Sequence, residues 1–280
     1  MNLNIKIKLF LFVVLLPIGF VYSWGEKGHQ VISKNAVELL PKEMDSFKAW
    51  KDYMVQHSSD ADIRRKTDKT EAPRHYIDID FYKEFLSGKM IENENELISK
   101  YGDSTVTANG ILPWATQETL INLTGALKEK NRDKALIYAA DLGHYVADGH
   151  QPMHTTVNYN GQLTAQKGVH FRYEVTMVDR HIDTLEKSVD SSNINYVENP
   201  LSFIFNYISD ANSVNDVLLD GDKLAHQEAG STENDDYYRI MWFRTRYVTE
   251  MQFKTAEEDL ASLLYTAWVN AGKPTFNDIN

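Results

Sequence analysis

Apolar residues recur at helical spacing through most of this chain, and runs with strand alternation are hard to find, so an all-α fold is expected. Residues 28–40 place Val31, Ile32, Ala36, Leu39 and Leu40 on one side and stop before Pro41. Residues 114–129 align Leu120, Ile121, Leu123, Ala126 and Leu127; residues 132–149 align Leu136, Ala139, Ala140, Gly143 and Val146. Further helices are expected over 169–187 and 200–219. The stretch 246–271 closes the series with Met251, Phe253, Leu260, Leu263, Leu264 and Trp268. Polar connectors fall at 57–73, 102–110, 155–168, 188–198 and 228–236. No internal repeat and no interdomain linker stands out, so residues 24–280 read as one compact multi-helix domain.

Residues 1–23 have the features of a secretory signal. Lys6 and Lys8 precede an almost wholly apolar run over 9–22, which is short for a bilayer span and is broken by Pro17 and Gly19. Val21 and Ser23 suit the positions before a cleavage site, which makes Trp24 the expected mature N-terminus. The competing role for this segment is an uncleaved anchor. The protein is expected to be secreted or periplasmic and not integral to a membrane. It contains no cysteine, which excludes disulfides, thiolate catalysis and cysteine-based zinc sites. An exported chain of this kind must rely on its core, on bound metal, or on both.

Loss of the leader takes the net charge from −11 to −13, because both of its charged residues are lysines. Such a chain is ill suited to coat DNA passively. A metal enzyme supplies its own positive charge, so a phosphate ester stays open as substrate.

The functional signal lies in histidines and carboxylates. His144 and Asp148 are four residues apart on an expected helix and leave it on one face. Pro152 ends that helix and lets His154 turn back towards them. His170 and Glu174 repeat the four-residue spacing. Imidazole with carboxylate is the ligand set that zinc takes when thiolate is missing. His29 lies five residues after Trp24, whose free α-amine and carbonyl oxygen could chelate a metal if cleavage occurs just before it. Asp60, Asp62, Arg64 and Arg65 followed by His75 and Asp78 form a further candidate segment, in which each half alone resembles a solvated loop. His57, His150, His181 and His226 are expected at the surface or at helix ends.

Together these residues resemble the trinuclear-zinc phosphodiesterase superfamily, which includes the single-strand-specific nucleases of fungi and plants and the bacterial zinc-dependent phospholipases C. The matching features run in order from Trp24 to Glu174. The resemblance implies an all-α domain and three zinc ions. Asp60, His75, His144 and Asp148 would hold the first. Trp24 (amine and carbonyl), His29 and a bridging Asp148 would hold the second, and His154, His170 and Glu174 the third. Asp60 is chosen for its gap of fifteen residues to His75, although the run Asp62-Ile63-Arg64 matches the nucleases locally. Asp60 would also orient the attacking water, and Arg64 would neutralise charge developing on phosphate. Glu174 agrees with the phospholipases, while Trp24-Gly-Glu-Lys-Gly-His29 follows the nucleases.

The expected activity is hydrolysis of single-stranded RNA or DNA through a metal-bridged hydroxide. The alternatives are a phospholipase C acting on phospholipid headgroup esters and a non-catalytic zinc-binding envelope protein. Tyr76, Phe81, Tyr82 and Tyr159 could stack on a nucleobase, and Asp78 matches a position that contacts the base in the nucleases. No stable protein partner is implied.

Overall fold

The computed structural model describes residues 24–187 and 194–279, so the expected leader lies outside the described residues. All regular structure among them is helical, as the periodicity requires. Six helices are fourteen residues or longer: α1 (Gly25–Glu38), α2 (Leu112–Lys128), α3 (Arg132–Gly149), α4 (Pro200–Ser213), α5 (Asn215–Ala229) and α6 (Asp235–Asn270). Local chemistry sets several of their ends. The side chains of Asn131 and Asn234 accept from the backbone amides of Lys134 and Tyr237, capping α3 and α6. Pro113 and Pro200 sit in the first turns of α2 and α4, where the missing amide costs nothing. Gly230, with φ of 71°, stops α5 in the left-handed conformation.

α2 packs along α3, α5 along α6, and α1 against both α3 and α6. The main core collects Trp24, Ile32, Met54, Leu123, Leu142, Val146, Tyr173, Phe253 and Leu260. A second core joins Ile77, Ile79, Tyr82 and Leu97 to Leu112, Tyr145, Ile204 and Ile208. α3 belongs to both. No helix among the described residues is long and apolar enough to cross a membrane.

Several boundaries differ from the sequence expectation. The region 200–219 breaks at Val214 into α4 and α5, and α6 begins at Asp235, well before residue 246. The connectors 57–73 and 102–110 contain short helices at Asp60–Arg64 and Asp103–Ala108. Within α2, Ile121 is 62% exposed although it falls beside the apolar stripe.

The segment 73–78 is held by the turn that precedes α2. The amide of Asp78 donates to Asn109 O, that of Ile111 to Pro73 O, and that of Leu112 to Tyr76 O. This close approach requires Gly110: its φ is +87°, and a Cβ there would lie 2.0 Å from Tyr76 O. Gly110→Ala should therefore cost about 2–5 kcal/mol, from left-handed strain plus overpacking against backbone. The expected readout is a fall in Tm of roughly 5–15 °C; an unchanged Tm would contradict the role given to this turn.

Candidate metal centre

α3 supplies the axis of a buried cluster. His144 and Asp148 leave it one turn apart, with Nε2 and Oδ2 3.3 Å from each other. α1 brings His29, whose Nε2 lies 3.5 Å from Asp148 Oδ1 and whose ring stacks on His144 at 4.1 Å. The short helix Ala72–His75 brings His75, with Nδ1 3.0 Å from both Asp148 Oδ2 and His144 Nε2. Pro152 ends α3 as expected. The turn Pro152–His154 then directs His154 back, its Nδ1 3.9 Å from Asp148 Oδ1 and its Nε2 3.7 Å from Glu174 Oε2. His170 lies on the helical turn Val169–Phe171, which continues as a π-helix over Arg172–Met177. His170 Nε2 and Glu174 Oε2 meet across that change at 2.8 Å. Single π-turns of this sort occur often at functional sites.

Asp62, not Asp60, completes the cluster. Asp62 is 2% exposed, and its Oδ1 lies 3.7 Å from His75 Nδ1 and 4.0 Å from His144 Nε2. Asp60 stays near the surface, where its Oδ2 meets His57 Nδ1 at 2.8 Å. Residues two apart on a helix point to opposite sides, so only one of the two acids can face inward. The same rotation displaces Arg64. Its guanidinium reaches Asp141 at 2.9 Å and Glu71 at 3.4 Å, away from the cluster. Arg65 takes the inward position, 3.5 Å from Asp62, and lines the adjoining cavity. Spacing carried no signal here, because Asp60 with Arg64 and Asp62 with Arg65 each share a helix face. His150 lies at the C-terminal end of α3, one of the two placements expected for it, but not at the surface. It is buried, stacks on Tyr207, and lies 3.0 Å from Asp259 through Nε2, on a side of α3 away from the ligands.

The chemistry of these donors fits a metal. Ligand atoms lie within 4.8 Å of one another in three groups: His29, Asp62 and His144; His75, His144 and Asp148; His154, His170 and Glu174. Both nitrogens of His29, both oxygens of Asp62 and of Asp148, His154 Nε2 and Glu174 Oε1 are buried without a hydrogen-bond partner. Buried polar atoms left unpaired cost about 1–3 kcal/mol each, more when charged, unless a cation takes them up. Outward-facing nitrogens are anchored instead. His144 Nδ1 lies 2.7 Å from Ser58 O, and His154 Nδ1 lies 2.6 Å from His75 O, which leaves each Nε2 lone pair turned inward. Gln151 donates to Glu174 Oε2 at 3.0 Å.

Burial lowers His144, but the facing Asp148 and Asp62 outweigh it and raise it to about 9, so a metal must displace that proton to bind there. Burial holds His29 well below the usual imidazole range and lowers His170 to about 4, so both are neutral and able to ligate at neutral pH. Burial pushes the Asp148 carboxyl up, but the facing His144, His75 and His154 outweigh it and hold it well below its ordinary value. Burial raises Glu174 to about 7, against the pull of His154 and Gln151.

Trp24 starts α1 in the left-handed conformation with its indole buried. Nε1–H donates to Ala147 O at 2.7 Å, and the ring packs edge-on against Phe253. Beside the cluster opens a cavity of about 360 Å³ lined by Arg65, Tyr76, Asp78, Tyr159 and three of the histidines, His75, His154 and His170. Burial and the neighbouring Asp80 push Asp78 up to about 7.

A family model described as S1/P1 Nuclease matches residues 24–176, the span that contains every member of the cluster. No curated protein matches the chain.

Removal of metal should destabilise the protein, since the buried carboxylates of Asp62, Asp148 and Glu174 then lack a cation. Chelation is expected to lower Tm by about 10 °C or more, with recovery on adding zinc. Asp62→Asn should lose bound zinc by elemental analysis while Asp60→Asn keeps the full complement. The reverse result would overturn the choice between the two acids.

Proposed function

The chain belongs to the S1/P1 nuclease family, within the phospholipase C/P1 nuclease superfamily, and we propose that it is an exported nuclease of single-stranded RNA and DNA. Enzymes of this family are zinc-dependent hydrolases of phosphodiester bonds. The observation that carries the finer reading is the cavity, which sets an arginine, a carboxyl and two tyrosines beside the buried donors.

Three zinc ions are proposed. Asp62, His75, His144 and Asp148 would hold one. The amine and carbonyl of Trp24, with His29 and Asp148, would hold a second, and His154, His170 and Glu174 a third. Bound there, zinc supplies Lewis acidity towards phosphate and water acidic enough to attack at neutral pH. Asp148 would suit the bridging role because His29 faces its Oδ1 while His75 and His144 face its Oδ2. Asp62, inside the cluster, replaces Asp60 as the acid that orients water. Arg65 is placed to donate to the non-bridging phosphate oxygens as charge develops there. Tyr76 and Tyr159 offer faces for a base to stack on. Asp78, poised near neutrality, can accept from an exocyclic amine or donate to a ring nitrogen.

The reading of residues 1–23 as a leader removed before Trp24, with residues 24–280 as one domain, is supported by the start of the family match at residue 24. The continuous core supports it too, as α5 and α6 pack on the same apolar cluster as α1 and α3. Release into the periplasm or medium follows as part of the same proposal.

Purified protein is expected to hydrolyse single-stranded DNA and to leave phosphatidylcholine intact; the opposite preference would move the assignment to the phospholipase branch. Arg65→Ala should lower kcat on single-stranded DNA by about 10²–10³ with little change in KM. Arg64→Ala should act chiefly on stability. One extra residue ahead of Trp24 should remove one zinc per chain by elemental analysis.

A further inference from the structure

We infer that Glu71 is the positioning residue that fixes the His75 ring, holding Nε2–H outward so that the Nδ1 lone pair faces the metal centre. The inference rests on the proposal that His75 is a zinc ligand.

The two edges of the His75 ring face different surroundings. Nδ1 faces Asp148, His144 and Asp62, at 3.0, 3.0 and 3.7 Å. Nε2 is buried and makes no hydrogen bond within ordinary limits. The carboxylate facing it is Glu71, with Oε1 at 3.5 Å, one helical turn earlier in the chain. A neutral imidazole carries one proton. If Nδ1 is to offer a lone pair, that proton sits on Nε2 and needs an acceptor there.

His75 therefore presents its ring the opposite way round from His144 and His154, which turn Nε2 inward and rest Nδ1 on backbone carbonyls. Sequence gives no hint of which nitrogen ligates; the side on which the acceptor stands decides it. A carboxylate in that place also raises the basicity of the ligating nitrogen more than a carbonyl does.

Glu71 is itself held. Its side chain is 8% exposed, and the Tyr145 hydroxyl donates to Oε1. Arg64 Nε lies 3.4 Å from Oε2 and Arg64 Nη2 lies 3.5 Å from Oε1. Asp141 anchors the far side of Arg64 at 2.9 Å. The arginine that the resemblance suggested for phosphate thus belongs to the support of a histidine. An amide at position 71 cannot serve all these donors, because one of its two ends donates.

The test uses the mature zinc-loaded protein with ¹⁵N-labelled histidine. In the wild type, long-range ¹⁵N–¹H correlations should show His75 protonated on Nε2; protonation on Nδ1 would overturn the inference without any variant. Glu71→Gln should weaken zinc binding about 10–100-fold in competition with a chromophoric chelator. It should also mix or reverse the His75 tautomer, while melting of the chelated protein stays close to wild type. Wild-type zinc affinity with an unchanged tautomer in Glu71→Gln overturns the inference alone. Full zinc content in His75→Ala would overturn the ligand assignment beneath it.

Discussion

A single carboxylate with no exposure to solvent organises this molecule. Asp148 faces His29 from α1, His75 from the 72–75 turn, His144 from its own helix and His154 from the turn beyond Pro152. Burying a charge costs several kcal/mol unless opposite charge and hydrogen bonds repay it. Here the repayment comes from chain segments far apart in sequence, converging on one point with lone pairs to spare. The protein carries net negative charge overall, yet at this point its own acids call for a cation.

α3 can carry that carboxylate because its consecutive residues serve different bodies. Leu142 and Val146 face the main core, Tyr145 joins the second core, and His144 and Asp148 point between them. The site therefore sits where two apolar clusters meet, and packing on both sides fixes its geometry. Tyr145 links the two kinds of role, since its ring is core and its hydroxyl supports Glu71. Trp24 does the same at the start of α1, with its ring in the core and its indole N–H on the carbonyl next to Asp148. Preorganisation of this kind places ligands within narrow limits and leaves the adjoining cavity free to recognise substrate.

Much of the centre was legible in the primary structure. Four-residue spacing on a long helix determines a shared face, so His144 with Asp148 and His170 with Glu174 could be paired before any coordinates. Pro152 marked the turn that returns His154. The acid near residue 60 could not be settled in the same way. A five-residue helix has no stripe of its own long enough to show which side is buried, so its rotation comes from docking on α3. That one rotation exchanges Asp60 for Asp62 and Arg64 for Arg65. The start of α6 was hidden for a related reason: its early turns expose Phe243 and Tyr247, and the helix shows little one-sided apolar pattern.

Residue order by itself determined the helical class, the absence of thiolate ligands, and a ligand inventory of imidazoles and carboxylates, because periodicity and side-chain chemistry are local properties. Tertiary structure alone decided which of two neighbouring acids is buried, which arginine faces the cavity, and which nitrogen of His75 turns inward. Those choices depend on the orientation of short segments, and short segments take their orientation from what they pack against.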